Sequence, residues 1–155
     1  MNNNAKIQNL LTRNVEDVID RAHLERELKA GKKLRVKLGI DPTSSDLHLG
    51  HAVVLRKLRE FQDLGSEAVL IIGDFTAQIG DPSLRDKTRP PLSKKEIERN
   101  MKDYLDQASR IIRISQSEIR YNSEWLGKLN GEKLLELLGL LSLQQIIERA
   151  DFKAR

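Results

Sequence analysis

The sequence contains no cysteine. That excludes disulfide bonds, thiol nucleophiles and cysteine metal sites together. Histidine is nearly as scarce: His23, His48 and His51 are the only three in 155 residues. Without thiolates to join them, they argue against a structural zinc centre. No apolar run approaches the roughly 20 residues of a membrane-spanning helix. The opening MNNNAKIQNLLTRNVEDV lacks the basic-then-apolar pattern of a secretory signal. Internal repeats, low-complexity tracts and evident linkers are also missing. Nor does one sign of charge dominate, since a net charge of +4 comes from 27 basic and 23 acidic residues that are interspersed. Such a balance fits a nucleotide or nucleic-acid partner without demanding one. The expectation is a soluble cytoplasmic protein of one domain, 39% hydrophobic, with a core of moderate size.

What is present has clear periodicity. Residues 14–30, NVEDVIDRAHLERELKA, place Val15, Val18, Ile19, Ala22 and Leu28 at helical spacing. The pattern predicts a helix capped by Asn14 and stopped at Gly31, with His23 as a partly exposed surface residue. Leu34 to Ile40, LRVKLGI, alternates apolar and basic residues as a strand does. LGHAVVLRKLREFQDLG then runs at helical spacing to Gly65. Glu67 to Phe75, EAVLIIGDF, reads as a strand buried on both faces. Together these segments form a β-α-β unit, which crosses over between parallel strands and binds ligands outside their carboxyl ends. Residues 80–92, GDPSLRDKTRPPL, read as a mobile loop. Ser93 and Glu96 form a capping box for a helix through about Ile112. EIRYN, 118–122, suggests another short strand. The remainder is mostly helical, broken at Gly131 and near Gly139.

The stretch GIDPTSSDLHLGH, Gly39 to His51, opens the crossover helix at a strand's carboxyl end. A helix start presents unpaired N–H groups and a positive dipole end, so it attracts phosphate. His48 and His51, three apart, share one side of the first turn, and each imidazole can donate to a phosphate oxygen. Thr43 adds a hydroxyl donor, and Gly50 leaves room for a base or ribose against the backbone. This set suits charge building on a phosphate while pyrophosphate leaves. Elsewhere such a pair is simply two polar residues capping a helix. The strand before it and the helix after it favour nucleotide binding here.

DPTSSDLHLGH resembles the first signature, the HIGH motif, of the class I aminoacyl-tRNA synthetases. GDFTAQIGDPS (73–83), YNSEWLGKL (121–129) and the final ERADFKAR resemble the bacterial tyrosyl-tRNA synthetases in particular. IGDPS separates them from the tryptophanyl branch. The resemblance covers nearly the whole chain. It implies a parallel-sheet, Rossmann-like (HUP-type) α/β nucleotide-binding domain, its amino-terminal part only, with an N-terminal helix and a helical C-terminal segment. It further implies a helical segment at 1–33, the first half of an ATP- and tyrosine-binding catalytic domain at 34–125, and the start of a dimer-interface region at 126–155. The implied reaction is ATP-dependent activation of tyrosine and transfer of the tyrosyl group to tRNA(Tyr) by a homodimer. ATP with Mg2+ would be substrate, with no bound metal or organic cofactor and no membrane.

Residue by residue, the resemblance places His48, His51 and Thr43 at the phosphates as the catalytic set. Gly39, Asp41, Pro42, Gly50, Arg85 and Arg89 fall on ATP-binding positions. Asp41, Thr76 and Asp81 fall on tyrosine-binding ones, where a carboxylate suits an α-ammonium. Lys87 accompanies Arg85 and Arg89 as a basic residue able to swing over pyrophosphate. Lys37 departs from the family, standing where many relatives carry a pocket tyrosine. LSKKE (92–96) superficially resembles the second signature, KMSKS, but comes too soon after the first, and Ser93 is accounted for as a cap. The KMSKS loop, the anticodon-binding region and the groups that read the phenol hydroxyl are expected to lie outside this chain, leaving it incapable of the full reaction alone. The competing expectations are a non-catalytic tRNA-binding or scaffold protein derived from a synthetase, and a small nucleotidyltransferase.

Overall fold

The computed structural model describes residues 3–79 and 92–148. Its frame is a three-stranded sheet of β1 (Arg35–Ile40), β2 (Glu67–Ile72) and β3 (Ser117–Tyr121), all parallel and in the order β1-β2-β3. Ile40 pairs with Ile72, and Ile72 with Tyr121. The three strands therefore stop level with one another. The residues that follow them, Asp41, Gly73 and Asn122, emerge along a single edge.

Helices α3 (Leu49–Asp63) and α5 (Lys94–Ser109) cover one face of this sheet. Leu55 and Leu58 of α3 meet Ala68 and Leu70 of β2 and Tyr104 and Ala108 of α5 in the main core. On β1 the alternation holds: Val36, Leu38 and Ile40 pack inward, while Arg35, Lys37 and Gly39 face the other way. On β2, Val69 is buried and Ile71 half-buried on that second face. The strand ends at Ile72, short of Phe75, because Gly73 turns the chain and residues 74–75 lead into the short helix α4 (Thr76–Ile79). Gly65 supplies the positive φ, +87°, that stops α3.

The amino-terminal segment contains two helices where periodicity suggested one. The first, α1 (Asn3–Thr12), buries Ile7, Leu10 and Leu11 against Leu28 of α2 (Arg21–Lys29), forming a second core with Phe61 and Leu64. Asn14 does not cap a helix. It follows the end of α1 with φ +53°, a left-handed conformation that asparagine tolerates. The cap of α2 is Asp20, whose carboxylate accepts from His23 N at 3.1 Å. Val15, Val18 and Ile19 thus lie outside any helix, and Ile19 is fully exposed. His23 is exposed, as expected. Lys57 of α3 closes the carboxyl end of α1, donating to the carbonyls of Leu10 and Arg13 at 2.8 Å each.

The capping box of α5 is present: Ser93 N donates to Glu96 Oε2 (2.8 Å) and Glu96 N to Ser93 Oγ (3.4 Å). That arrangement agrees with reading LSKKE as a helix start. After β3 come α6 (Ser123–Leu126), α7 (Gly131–Gly139) and α8 (Leu143–Ile147). Gly131 opens α7 behind its cap Asn130, and Gly139 closes it. The leucines of α7 are exposed. Among the described residues no helix is long and apolar enough to cross a membrane.

Candidate active site

The histidine signature sits where β1 hands over to α3. His48 is the N-cap residue, in extended backbone, and its Nδ1 accepts from Gly50 N at 3.1 Å. His51, one turn on, returns the bond: its Nδ1 accepts from His48 N at 3.3 Å. The rings stack at 3.9 Å between centroids, 26° apart, and Tyr104 meets His51 edge-on at 6.1 Å. Capping and ligand binding are therefore not alternatives. An Nδ1 that accepts a backbone N–H leaves the neutral ring's proton on Nε2. Each imidazole thus keeps an Nε2–H donor, and among the described residues neither donor has a partner. Partial burial, and then the neighbouring His48, lower the His51 pKa from the ordinary histidine value of 6.5, which favours this neutral state.

Gly50 has a more specific use than open space for a nucleotide. A Cβ there would lie 2.9 Å from His48 Cε1, so the missing side chain makes room for the capping ring. A cleft of about 250 Å³ runs along this corner, lined in part by Gly39, Asp41, Gly50, His51, Val54 and Tyr104. Pro42 is buried, and Thr43 is half-buried in the loop, its N–H donating to the Asp41 carbonyl at 2.8 Å. A larger hollow of about 400 Å³ lies at the α1–α3 junction, beside Lys6, Asn9 and Leu64, away from the strand ends. It contains none of the signature residues.

A second group assembles along the same edge. Thr76 Oγ1 donates to Asp41 Oδ1 at 2.8 Å and accepts from Asn122 Nδ2 at 3.0 Å. Asn122 Oδ1 accepts from Phe75 N at 2.9 Å. The chain Asp41–Thr76–Asn122 therefore links the ends of all three strands. Gly73 permits it, because a Cβ at that position would overlap the Asp41 carboxylate. Asp41 is exposed, whereas Asn122 is 8% exposed and held on both sides of its amide. Sequence reading had Asn122 as the end of a strand and within YNSEWLGKL, with no site role of its own. Its signal was positional: a polar residue directly after a parallel strand, at the edge where ligands bind.

Asp81, Arg85, Lys87 and Arg89 lie outside the described residues. Lys37 does not join the histidine cleft. It lines a hollow of about 320 Å³ on the other face of the sheet with Val69, Ile71, Glu118, Arg120 and Trp125.

A parallel α/β sheet whose first crossover helix opens at the strands' carboxyl ends is the Rossmann-like class of fold, in which ligands bind outside those ends. Residues 29–155 match the family model described as tRNA synthetases class I (W and Y), and the chain belongs to that family. It is 51% identical over 154 residues to the tyrosine–tRNA ligase of Deinococcus radiodurans, covering 98% of this chain and 37% of that protein. It is 52% identical over 146 residues to the tyrosine–tRNA ligase of Thermotoga maritima, covering 94% of this chain and 36% of that one. The chain thus spans little more than a third of the length of these relatives. A solved structure of the Archaeoglobus fulgidus tyrosyl-tRNA synthetase, complexed with L-tyrosine, shares the fold at a TM-score of 0.67 with 24% identity. That match covers 90% of this chain and 40% of the other.

Proposed function

We propose that this chain is the amino-terminal part of a tyrosine–tRNA ligase, which joins tyrosine to ATP as tyrosyl-adenylate and passes the tyrosyl group to tRNA(Tyr). The observation that carries this reading is the reciprocal cap, which turns both Nε2–H groups into donors held without cost at the moment of reaction. When the tyrosine carboxylate attacks the α-phosphate of ATP, negative charge moves toward the departing pyrophosphate. Fixed donors at a helix start stabilise that charge without reorganising. Neither histidine serves as general base, since the attacking carboxylate has no proton to lose.

Gly39, Asp41, Pro42 and Gly50 line the ATP side of this edge, with Thr43 beside the phosphates. Asp41 and Thr76, with Asp81, receive the tyrosine ammonium, and Arg85 and Arg89 reach the pyrophosphate. Mg2+ arrives with ATP as part of the substrate, and no resident metal or organic cofactor is called for. Residues 34–125 form the first half of the catalytic domain, 1–33 a helical segment packed beside it, and 126–155 the start of a dimer-interface region. The full ligase works as a cytoplasmic homodimer, off the membrane.

Tyrosine-dependent exchange of pyrophosphate into ATP, measured with the full-length ligase carrying this segment, tests the reading. Exchange that requires tyrosine supports it. Binding of tRNA(Tyr) with no exchange at all points instead to a non-catalytic tRNA-binding protein.

A further inference from the structure

The loop between β1 and α3 is held from outside, by one stripe of α5. Asn100, Tyr104 and Gln107 recur at helical spacing on the side that faces the loop. Asn100 Nδ2 donates to the Pro42 carbonyl at 3.1 Å. Gln107 Nε2 donates to the Ser45 carbonyl at 2.6 Å, and Gln107 Oε1 accepts from Leu47 N at 3.1 Å. Tyr104 stands edge-on to His51. Leu47 immediately precedes His48, so the Gln107 amide fixes the Asp46–Leu47 peptide, one peptide before the N-cap nitrogen. The stripe is itself anchored, since Tyr104 and Ala108 belong to the main core.

We propose that Gln107, flanked by Asn100 and Tyr104, is a positioning residue for His48 in the activation reaction, acting through the backbone of Leu47 without touching substrate. This inference rests on the tyrosine-activating reading. The physical argument is one of tolerance. A donor that meets developing charge must already be in place, and a misplacement of about 1 Å can cost about a hundredfold in rate. Residues 42–47 form no regular element, and two of their carbonyls and one N–H are satisfied by side chains of α5. Withdrawing the Gln107 amide frees the Asp46–Leu47 peptide, and with it Leu47, the residue on which the cap is mounted.

Single-turnover formation of tyrosyl-adenylate in the full-length ligase tests this. Gln107→Ala is expected to slow the step about a hundredfold and to leave the tyrosine dissociation constant unchanged. Gln107→Asn, which keeps the polarity but shortens the reach, should act in the same direction, and it provides a folded variant where Gln107→Ala is unstable. The decisive comparison is with His48→Ala: the double variant should be no slower than His48→Ala alone, because Gln107 acts through that ring. Losses that multiply, or a tyrosine affinity that falls in step with the rate, would overturn the inference. Nitrogen chemical shifts of selectively labelled His48 give a readout independent of activity. They should change in both Gln107 variants, and unchanged shifts also overturn the inference. An unmodified ligase that forms no adenylate would count against the tyrosine-activating reading, while the ring shifts would still report on the role of Gln107.

Discussion

The carboxylate of Asp41, at the end of β1, occupies the space that a side chain on residue 73, at the end of β2, would fill. Gly73→Ala is therefore expected to push Asp41 aside and break its 2.8 Å bond from Thr76. Asp41 is exposed and can swing outward, so folding stability should fall by only about 1 kcal/mol. Tyrosine affinity should fall further, about 10- to 100-fold, because a charge-assisted bond to the ammonium is worth roughly 1.5–3 kcal/mol. Equilibrium dialysis with labelled tyrosine, beside a thermal melt, separates the two effects.

The cap that His48 makes and the donor role proposed for it can be separated by substitution. His48→Ala removes both cap and donor, and should slow adenylate formation by roughly 2.7–4 kcal/mol, about a hundredfold to a thousandfold. The ATP dissociation constant should barely change, since the interaction is made mainly in the transition state. His48→Asn restores a good cap but no Nε2–H, so it should recover the roughly 0.5–2 kcal/mol of stability that a cap contributes and none of the rate. Pre-steady-state kinetics and urea unfolding of both variants provide the check. A rate recovered by asparagine would reduce His48 to a capping residue.

The His51 ring must be neutral at Nδ1 to accept from His48 N–H. Its pKa is lowered in the folded chain, first by partial burial and then by His48. The unfolded chain therefore takes up this proton first as pH falls. The stability that comes from keeping the ring neutral is complete above the ordinary value of 6.5 and is lost as pH drops through the lower folded value. Denaturant melts across that range should show the loss, and His51→Gln should flatten it. A pH profile as steep in the variant as in the parent would show that other groups govern it.

Asn122 makes hydrogen bonds through both ends of its buried amide. Asn122→Leu leaves Phe75 N–H without its acceptor and Thr76 without its donor. The expected cost is about 1–3 kcal/mol, read from the midpoint of chemical denaturation. Asn122→Asp keeps the acceptor for Phe75 but turns a donor toward Thr76 into an acceptor beside Asp41, so tyrosine binding should weaken more than stability does.

Leu134 and Leu138 form a stripe one turn apart on α7, each close to half exposed. If this stripe joins two subunits, the full-length ligase should sediment as a dimer at micromolar concentration, and Leu134→Lys with Leu138→Lys should dissociate it. A dimer unaffected by both charges would move the interface elsewhere.

Much of the architecture was readable because it repeats locally. The alternation in Leu34–Ile40, the apolar run from Glu67 and the helical spacing through Gly65 correspond to β1, β2 and α3. The Ser93–Glu96 box was equally legible, because a cap is a short-range bond between residues three apart. Short-range chemistry failed at the start of α2. Asn14 was the expected cap, but the burial of α1 against α2 goes with Asn14 at a helix end, and Asp20 is the cap.

The histidine pair, the fold class and the family were thus determined by the order of residues along the chain. Tertiary structure alone decided that His48 and His51 cap one helix reciprocally, that Gly50 and Gly73 make room for a ring and a carboxylate, and that Lys37 faces away from the cleft. It also decided that Asn122 and Gln107, 74 and 59 residues beyond His48, belong to the same edge. The physical reason is the parallel sheet. Its register brings the ends of strands remote in sequence into line, and packing of α5 on the common core delivers a helix stripe to a loop nearly sixty residues earlier. Neither distance has a period that a sequence can display.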